Sequence, residues 1–522
     1  MRDFQKPGRS AVFADQGMCA TSHPLATQTA IALLQAGGNA VDAAIGAAIL
    51  LGFCEPQSTG LGGDMFAIVS QPDSRIIGLN ASGRAPAGTD GDAIRAKHEV
   101  MPLYDVAAVT IPGAVDGFCR LHGDHGHLPL DQVLGPAIQY ADAGIPVAPR
   151  VAFDYEQSGN VLTGRARELF LKDDAPLPLG ARFAAPGQAE VLRRVAAEGR
   201  AGFYEGEVAE DMVASLRALG GTHTLDDFAA TACDYVDPLR STYRDAELLE
   251  IPPNGQGATA MLILNMLETM DPQEDAFGTM RAHLEAEATK LGYDARDRFI
   301  ADMDHVTRLD HMLSKDTARS LAGLIDPDRA MPDARKASDN IHKDTVYITV
   351  VDKNRQAVSL IYSIFHSFGS GIASDKFGVL FQNRGGGFTL EKGHPNEVGP
   401  GKRPMHTIIP GMLKLGDGSL MPFGVMGGAY QSTGHARFVS NVVDYGMGPQ
   451  AAIDAPRSFA EAGHLKVERG YAAEVHEGLA AKGHDVQVPV TAVGGAQAIR
   501  IRPDGVLEAG SDPRKDGIAL GY

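Results

Sequence analysis

Thr345-Val346-Tyr347-Ile348-Thr349-Val350-Val351-Asp352 is a run of β-branched and aromatic residues that reads as a strand from its first position. What precedes it has the opposite character. Residues 326–344 (DPDRAMPDARKASDNIHKD) are polar and rich in Pro, Asp and Lys, with no apolar periodicity to bury, and they predict an exposed linker. After the strand, the turn Lys353-Asn354-Arg355 leads into a second apolar run, 357–362, so the pair predicts a hairpin. A hydroxyl residue therefore stands where linker meets core strand. That placement suits an N-terminal nucleophile. Cutting before Thr345 frees an α-amine whose usual pKa, about 7.7–8.0, needs little lowering for it to act as general base near physiological pH. Strand propensity alone explains the same threonine, so the junction by itself leaves both readings open.

Working outward, residues 22–51 predict two helical stretches separated by Gly37-Gly38, with Ser22 capping the first and Pro24 in its opening turn. A Gly-rich turn, Ser58-Thr59-Gly60-Leu61-Gly62-Gly63-Asp64, leads to strands over 65–70 and 76–80. The middle of the chain, roughly 127–340, predicts mostly helix, with apolar residues at helical spacing over 191–200, 208–219 and 280–300. Within it, Pro252-Pro253-Asn254-Gly255 turns into an apolar helix over 259–267.

At 522 residues the chain can bury a large core, and 44% hydrophobic with 21% charged residues is ordinary for a soluble globular protein. A formal net charge of −18 disfavours nucleic-acid phosphates and anionic membrane surfaces as partners. Cys19, Cys54, Cys119 and Cys233 are scattered without C-x-x-C spacing, which argues against a zinc site or a disulfide framework and for reduced thiols. The opening residues lack an apolar signal core. The run 40–53 is interrupted by Asp42 and falls short of the ~20 residues a spanning helix needs. A cytoplasmic location is the expectation.

Ordered blocks through nearly the whole chain resemble the γ-glutamyltranspeptidase family. They begin with His23-Pro24-Leu25-Ala26, Gly37 to Ala44, and Gly60-Leu61-Gly62-Gly63-Asp64. Pro112 to Gly117, Pro252-Pro253-Asn254-Gly255, and Asp344-Thr345-Val346-Tyr347 with Val350-Val351-Asp352 follow. Phe368 to Gly371, Pro400 to Pro404, Gly427-Gly428 and Ser511-Asp512-Pro513-Arg514 complete the series. Each block is weak alone; the order makes the set specific. The resemblance implies an α/β (α+β) fold, the four-layer αββα sandwich of N-terminal-nucleophile hydrolases. It implies self-cleavage between Asp344 and Thr345 into a large subunit, 1–344, and a small one, 345–522, which share one intertwined fold. An oligomer of such heterodimers is compatible with it. Thr345 is then the nucleophile and Gly427 and Gly428 the oxyanion-binding amides. Ser363 is the second hydroxyl beside the nucleophile, which a three-residue hairpin loop would bring opposite Thr345 and a two- or four-residue loop would not. Neither a metal nor an organic cofactor is implied.

The sequence departs from the family in the substrate pocket. The family's carboxylate-binding Arg falls at Ser82, with Arg84 two residues on, either as a substitute or in a surface salt bridge. The positions that hold the substrate ammonium correspond to Phe365, Arg384 and Gly387, so no carboxylate is left and a cation is added. The family's Ser-Ser pair becomes His406-Thr407, which either bonds the substrate or, for His406, is structural. The expected substrate is accordingly a small amide whose acyl group carries a carboxylate and no α-ammonium, as for oxamate amidohydrolases and glutaryl or cephalosporin acylases. A true γ-glutamyl hydrolase or transferase, and an unprocessed, non-catalytic homologue, are the alternatives. A denaturing gel of purified protein should show two fragments meeting at 344/345, and a single full-length band for Thr345→Ala; a Thr345→Ala chain that is still cut contradicts the assignment.

Overall fold

The computed structural model describes residue 5, residues 8–331 and residues 345–522. Val346–Val351 pairs antiparallel with Ala357–Ser363, Val346 facing Tyr362 and Val351 facing Ala357. This is the register of the three-residue loop, and carried back one step it sets Thr345 against Ser363. The hairpin lies at the centre of a seven-stranded sheet. Its order is Ile518–Gly521, Met18–Thr21, Val346–Val351, Ala357–Ser363, Asp64–Ser70, Ile76–Ala81, Asp234–Val236, all antiparallel. A second seven-stranded antiparallel sheet runs Val12–Ala14, Leu507–Ser511, Gly495–Ile501, Leu420–Met426, Gly411–Lys414, Ala246–Glu250, Leu239–Tyr243.

The continuous apolarity of the hairpin strands follows from burial on both faces. Val346, Ile348 and Val350 point outward and pack with the helices Pro24–Gln35 and Ala40–Cys54. Tyr347 and Ile361 point the other way, into an inter-sheet core shared with Phe66, Leu249, Met412 and Met426. The second sheet is covered on its outer face by Gly257–Glu268 and Gln431–Val443, packed on Leu248, Leu413, Phe423 and Val425. The layers are thus helix, sheet, sheet, helix, as the sequence led one to expect. Between the sheets, the Tyr347 ring lies on Gly424, where a Cβ would enter the ring. The Ser359 hydroxyl, 2.7 Å from the Tyr347 hydroxyl, donates across to Phe423 O at 3.2 Å. Both sheets draw strands from before residue 331 and after residue 345, so neither part could form a complete sheet alone.

Two local expectations are corrected. His23, not Ser22, caps the first helix, accepting from Leu25 N–H through its ring, while the Ser22 hydroxyl donates to buried Glu55. The middle segment, read as mostly helical, also holds the strands Leu239–Tyr243 and Ala246–Glu250 around the tight turn at Arg244 (φ 53°). Leu239–Tyr243 is the edge strand and Ala246–Glu250 lies next to it inside the sheet, and their short runs of mixed charged and apolar residues carry a weak strand signal. Among the described residues no helix is long and apolar enough to cross a membrane, and all four cysteines are free.

Candidate active site

Side chains alternate along a strand, so Thr345 shares the inter-sheet side with Tyr347, and Ser363 shares it with Ile361. Both residues are buried, and the Thr345 hydroxyl donates to Ser363 Oγ at 3.3 Å. Ser363 Oγ also accepts from Phe365 N–H at 2.9 Å and from Arg384 Nη2 at 3.4 Å. Asp344, the other side of the expected cleavage point, lies outside the described residues.

Arg384 is the largest fully buried side chain of the described residues. Its Nη1 donates to Thr407 Oγ1 at 3.0 Å, its guanidinium lies 4.1 Å from the centroid of the Phe365 ring, and its Nε has no partner among the described residues. Nor does any described carboxylate form an ion pair with it. Burial pushes the guanidinium down to about 9, against the pull of the nearby Asp64 charge, so it is cationic at neutral pH. Phe365 holds a left-handed backbone (φ 81°), unusual for a bulky residue, and this brings its ring against the cation.

Asp64, the last residue of the Gly-rich turn, organises the floor. Its Oδ1 accepts from Gly83 N–H (2.8 Å), Gly113 N–H (3.1 Å) and Gln382 Nε2 (2.9 Å), and His406 Nε2 lies 3.2 Å from Oδ2. His406 Nδ1 accepts from Ile408 N–H, so the ring proton belongs on Nε2 and is donated to Asp64. Burial and the Arg384 charge push the imidazole down to about 3, which keeps it neutral. The structure thus gives His406 a structural partner set. Gln256 closes the ring of contacts: its Nε2 donates to Thr407 O (2.7 Å) and to Gly428 O (3.0 Å). Gly427 (φ 117°) and Gly428 (φ 56°) both take left-handed conformations, and a Cβ on Gly427 would come 2.9 Å from Gly494 Cα, so the turn demands glycine.

One hydrogen-bonded path therefore runs from Thr345 through Ser363, Arg384, Thr407 and Gln256 to Gly428. The other candidates lie off it. Ser82 is buried, its Oγ accepting from Asn254 Nδ2 at 3.0 Å. Arg84 is partly exposed and donates to Asp302 Oδ2 (3.1 Å) and Gly401 O (3.0 Å). Gly387 is the last residue of the 384–387 turn, where a Cβ would come 2.6 Å from Met405 O. Asp64 ends one of the sequence blocks and Gln256 directly follows another, and neither has a role in the sequence reading, since a hydrogen-bonding hub gives no spacing signal.

A family model described as gamma-glutamyltranspeptidase matches residues 26–522. The chain belongs to the γ-glutamyltranspeptidase family. It is 33% identical to the glutathione hydrolase-like YwrD proenzyme of Bacillus subtilis, over 98% of this chain and 99% of that protein. It is also 33% identical to the oxamate amidohydrolase proenzyme of Klebsiella pneumoniae, over 98% and 100%. The solved cephalosporin acylase from Bacillus halodurans superposes with a TM-score of 0.92 at 35% identity, covering 100% of this chain and 99% of that one. Membership makes this protein an enzyme of the family's amidohydrolase and acyltransferase type, and the relatives named as proenzymes are made as precursors.

Within this γ-glutamyltranspeptidase-family site, Asp64 is, among the described residues, the carboxylate whose charge acts on Arg384. Asp64→Asn removes that charge and turns an amide NH₂ toward groups that donate. The expected cost is about 3–5 kcal/mol, the range for breaking a buried charge arrangement, read as a lowered unfolding midpoint; a variant as stable as its parent would contradict this role.

Proposed function

We propose that the chain is a self-processing threonine amidohydrolase for small amides whose acyl group carries its own carboxylate. The observation that carries this reading is Arg384: a buried cation bonded to two hydroxyls, with an Nε donor that no described residue uses, one hydroxyl away from Thr345. A buried guanidinium without a carboxylate costs several kcal/mol, and an anionic acyl group offsets that cost while orienting its amide toward the threonine. The names of two relatives, oxamate amidohydrolase and cephalosporin acylase, are consistent with it.

In this reading the Thr345 hydroxyl first attacks the carbonyl of Asp344. The acyl group shifts from nitrogen to oxygen, and water hydrolyses the ester, leaving the Asp344 carboxylate and a free Thr345 amine. In turnover that amine takes the hydroxyl proton as Oγ attacks the substrate amide carbon. The Gly427 and Gly428 N–H groups receive the developing oxyanion, each donor being typically worth about 3–4 kcal/mol. The C–N bond breaks, the departing amine takes the proton, and water releases the acyl group from the Thr345 ester. Ser363 keeps the nucleophile in line by accepting its hydrogen bond.

A γ-glutamyl substrate is disfavoured on the same ground. Its α-ammonium would face Phe365 and the Arg384 guanidinium, where the family places amides and carboxylates. Robust turnover of γ-glutamyl-p-nitroanilide would overturn this pocket assignment.

Arg384→Gln should lower kcat/KM on carboxylate-bearing anilides by at least about 2 kcal/mol, some thirty-fold, while changing kcat/KM on the corresponding methyl esters little. An equal fall on both substrates would assign Arg384 to structure rather than recognition.

A further inference from the structure

Off the path from Thr345 to Gly428, three buried side chains with metal-binding atoms converge. His283 and Glu287 stand one turn apart on the helix Thr279–Phe299 and share a face. His484 comes from beyond the linker. The helix Ala473–Ala481 stops at Gly483 (φ 94°), a left-handed residue of the kind that ends helices, and the His484 N–H turns back to Leu479 O at 3.2 Å. Its ring meets that of His283. The three ligand atoms lie within 4.8 Å of one another, and this is the one such group among the described residues. His283 and Glu287 are 0% exposed and His484 is 7% exposed.

His283 Nε2 lies 2.8 Å from Asp326 O, which only accepts, so the ring proton sits on Nε2 and Nδ1 presents its lone pair. An imidazole whose second nitrogen donates to a backbone carbonyl is oriented as metal-binding histidines are. Facing Nδ1 at 2.8 Å is His484 Nε2, and Glu287 Oε1 is 3.9 Å from that nitrogen. Around a tetrahedral ion with bonds of about 2.0–2.2 Å, ligand atoms stand about 3.3–3.6 Å apart, so shifts of under about 1 Å per side chain reach that spacing. Two imidazole nitrogens and a carboxylate oxygen suit zinc and its neighbours; calcium and magnesium take oxygen alone. Lys290 is the competitor: its Nζ donates to Glu287 Oε1 (2.8 Å) and Met331 O (2.9 Å), and its side chain, 10% exposed, has a way out to water. Lys482, the other nearby cation, is turned to Pro327 O and Asp328.

We infer that His283 Nδ1, His484 Nε2 and Glu287 Oε1 form a binding site for a zinc-like divalent ion. The ion takes the place of the proton between the two rings, that proton moves to His484 Nδ1, and Lys290 gives up Glu287 Oε1. The ligands are also where the chain before the linker is fastened. Asp326 O accepts from His283, Met331 N–H donates to Glu287 Oε2 (2.8 Å), and Ala330 N–H donates to Lys482 O (2.8 Å). The ion therefore ties residues 326–331, the helix and the C-terminal part of the chain together at one point. It does so whether or not the bond before Thr345 is cut, so the site stands apart from the reading of Thr345 as nucleophile.

The test titrates tag-free, chelator-stripped full-length protein with zinc, and with cobalt(II) as an optical probe. One equivalent should bind per chain, cobalt should show the visible bands of a tetrahedral site, and zinc should raise the unfolding midpoint. Lys290→Met removes the competing ammonium and should tighten zinc binding at least about ten-fold. His484→Gln should weaken it at least about ten-fold and abolish the rise in midpoint. No bound equivalent in either the parent or Lys290→Met overturns the site. Binding equally tight after His484→Gln, which is zinc held elsewhere on the surface, overturns it too. Should His484→Gln fail to fold, the Lys290→Met comparison decides, and an affinity unchanged from the parent's contradicts the assignment.

Discussion

Arg384 is cationic, fully buried and bonded to two neutral hydroxyls, and the site has to accommodate that charge. Desolvating a guanidinium is costly, and pairing is the usual remedy. Here the compensation is indirect: the Phe365 ring beneath it, the hydroxyls of Ser363 and Thr407, and the field of Asp64. Asp64 is held in turn by two backbone N–H groups, Gln382 and a neutral His406. The arrangement is stable enough to stand, yet incomplete toward an anion. That incompleteness is the physical basis of the proposed specificity.

The fold fixes where this cation sits relative to the proposed nucleophile. Antiparallel register sets Thr345 against Ser363, and the alternation of side chains sends both between the sheets. A slip of one residue would turn them into the helix-covered face and separate them from Arg384. The register is pinned by burial on both faces and by Tyr347, whose ring is seated on Gly424 and whose hydroxyl meets Ser359. The second sheet then supplies the 427–428 turn as the direct continuation of Leu420–Met426. The proposed attacking group, anion partner and oxyanion-binding turn thus derive from the same inter-sheet packing.

Much of this was legible from the chain. The strand after the linker, the hairpin and the helices at 24–54, 186–218 and 279–299 follow from residue periodicity, and the layered architecture follows from the family blocks. The hairpin register was narrowed to alternatives, because loop length decides it and sequence does not fix loop length. The strands at 239–250 were missed because their short runs of mixed charged and apolar residues read equally as loop or helix. The substitution of a cation at 384 was visible, but not its burial, its bonds to Ser363 and Thr407, or its Phe365 ring, which depends on a left-handed backbone that no residue type announces. Arg84 had two readings in the sequence, and its contacts with Asp302 and Gly401 come only from three dimensions. The hubs Asp64 and Gln256 join segments more than a hundred residues apart, and such convergence has no local signature.

Mass spectrometry of enzyme acid-quenched during turnover of a carboxylate-bearing anilide is the most direct measurement. The account predicts an acyl mass added, as an ester, to the peptide whose first residue is Thr345. An active chain that is continuous through residues 344 and 345, or an acyl group carried on any other residue, would contradict it.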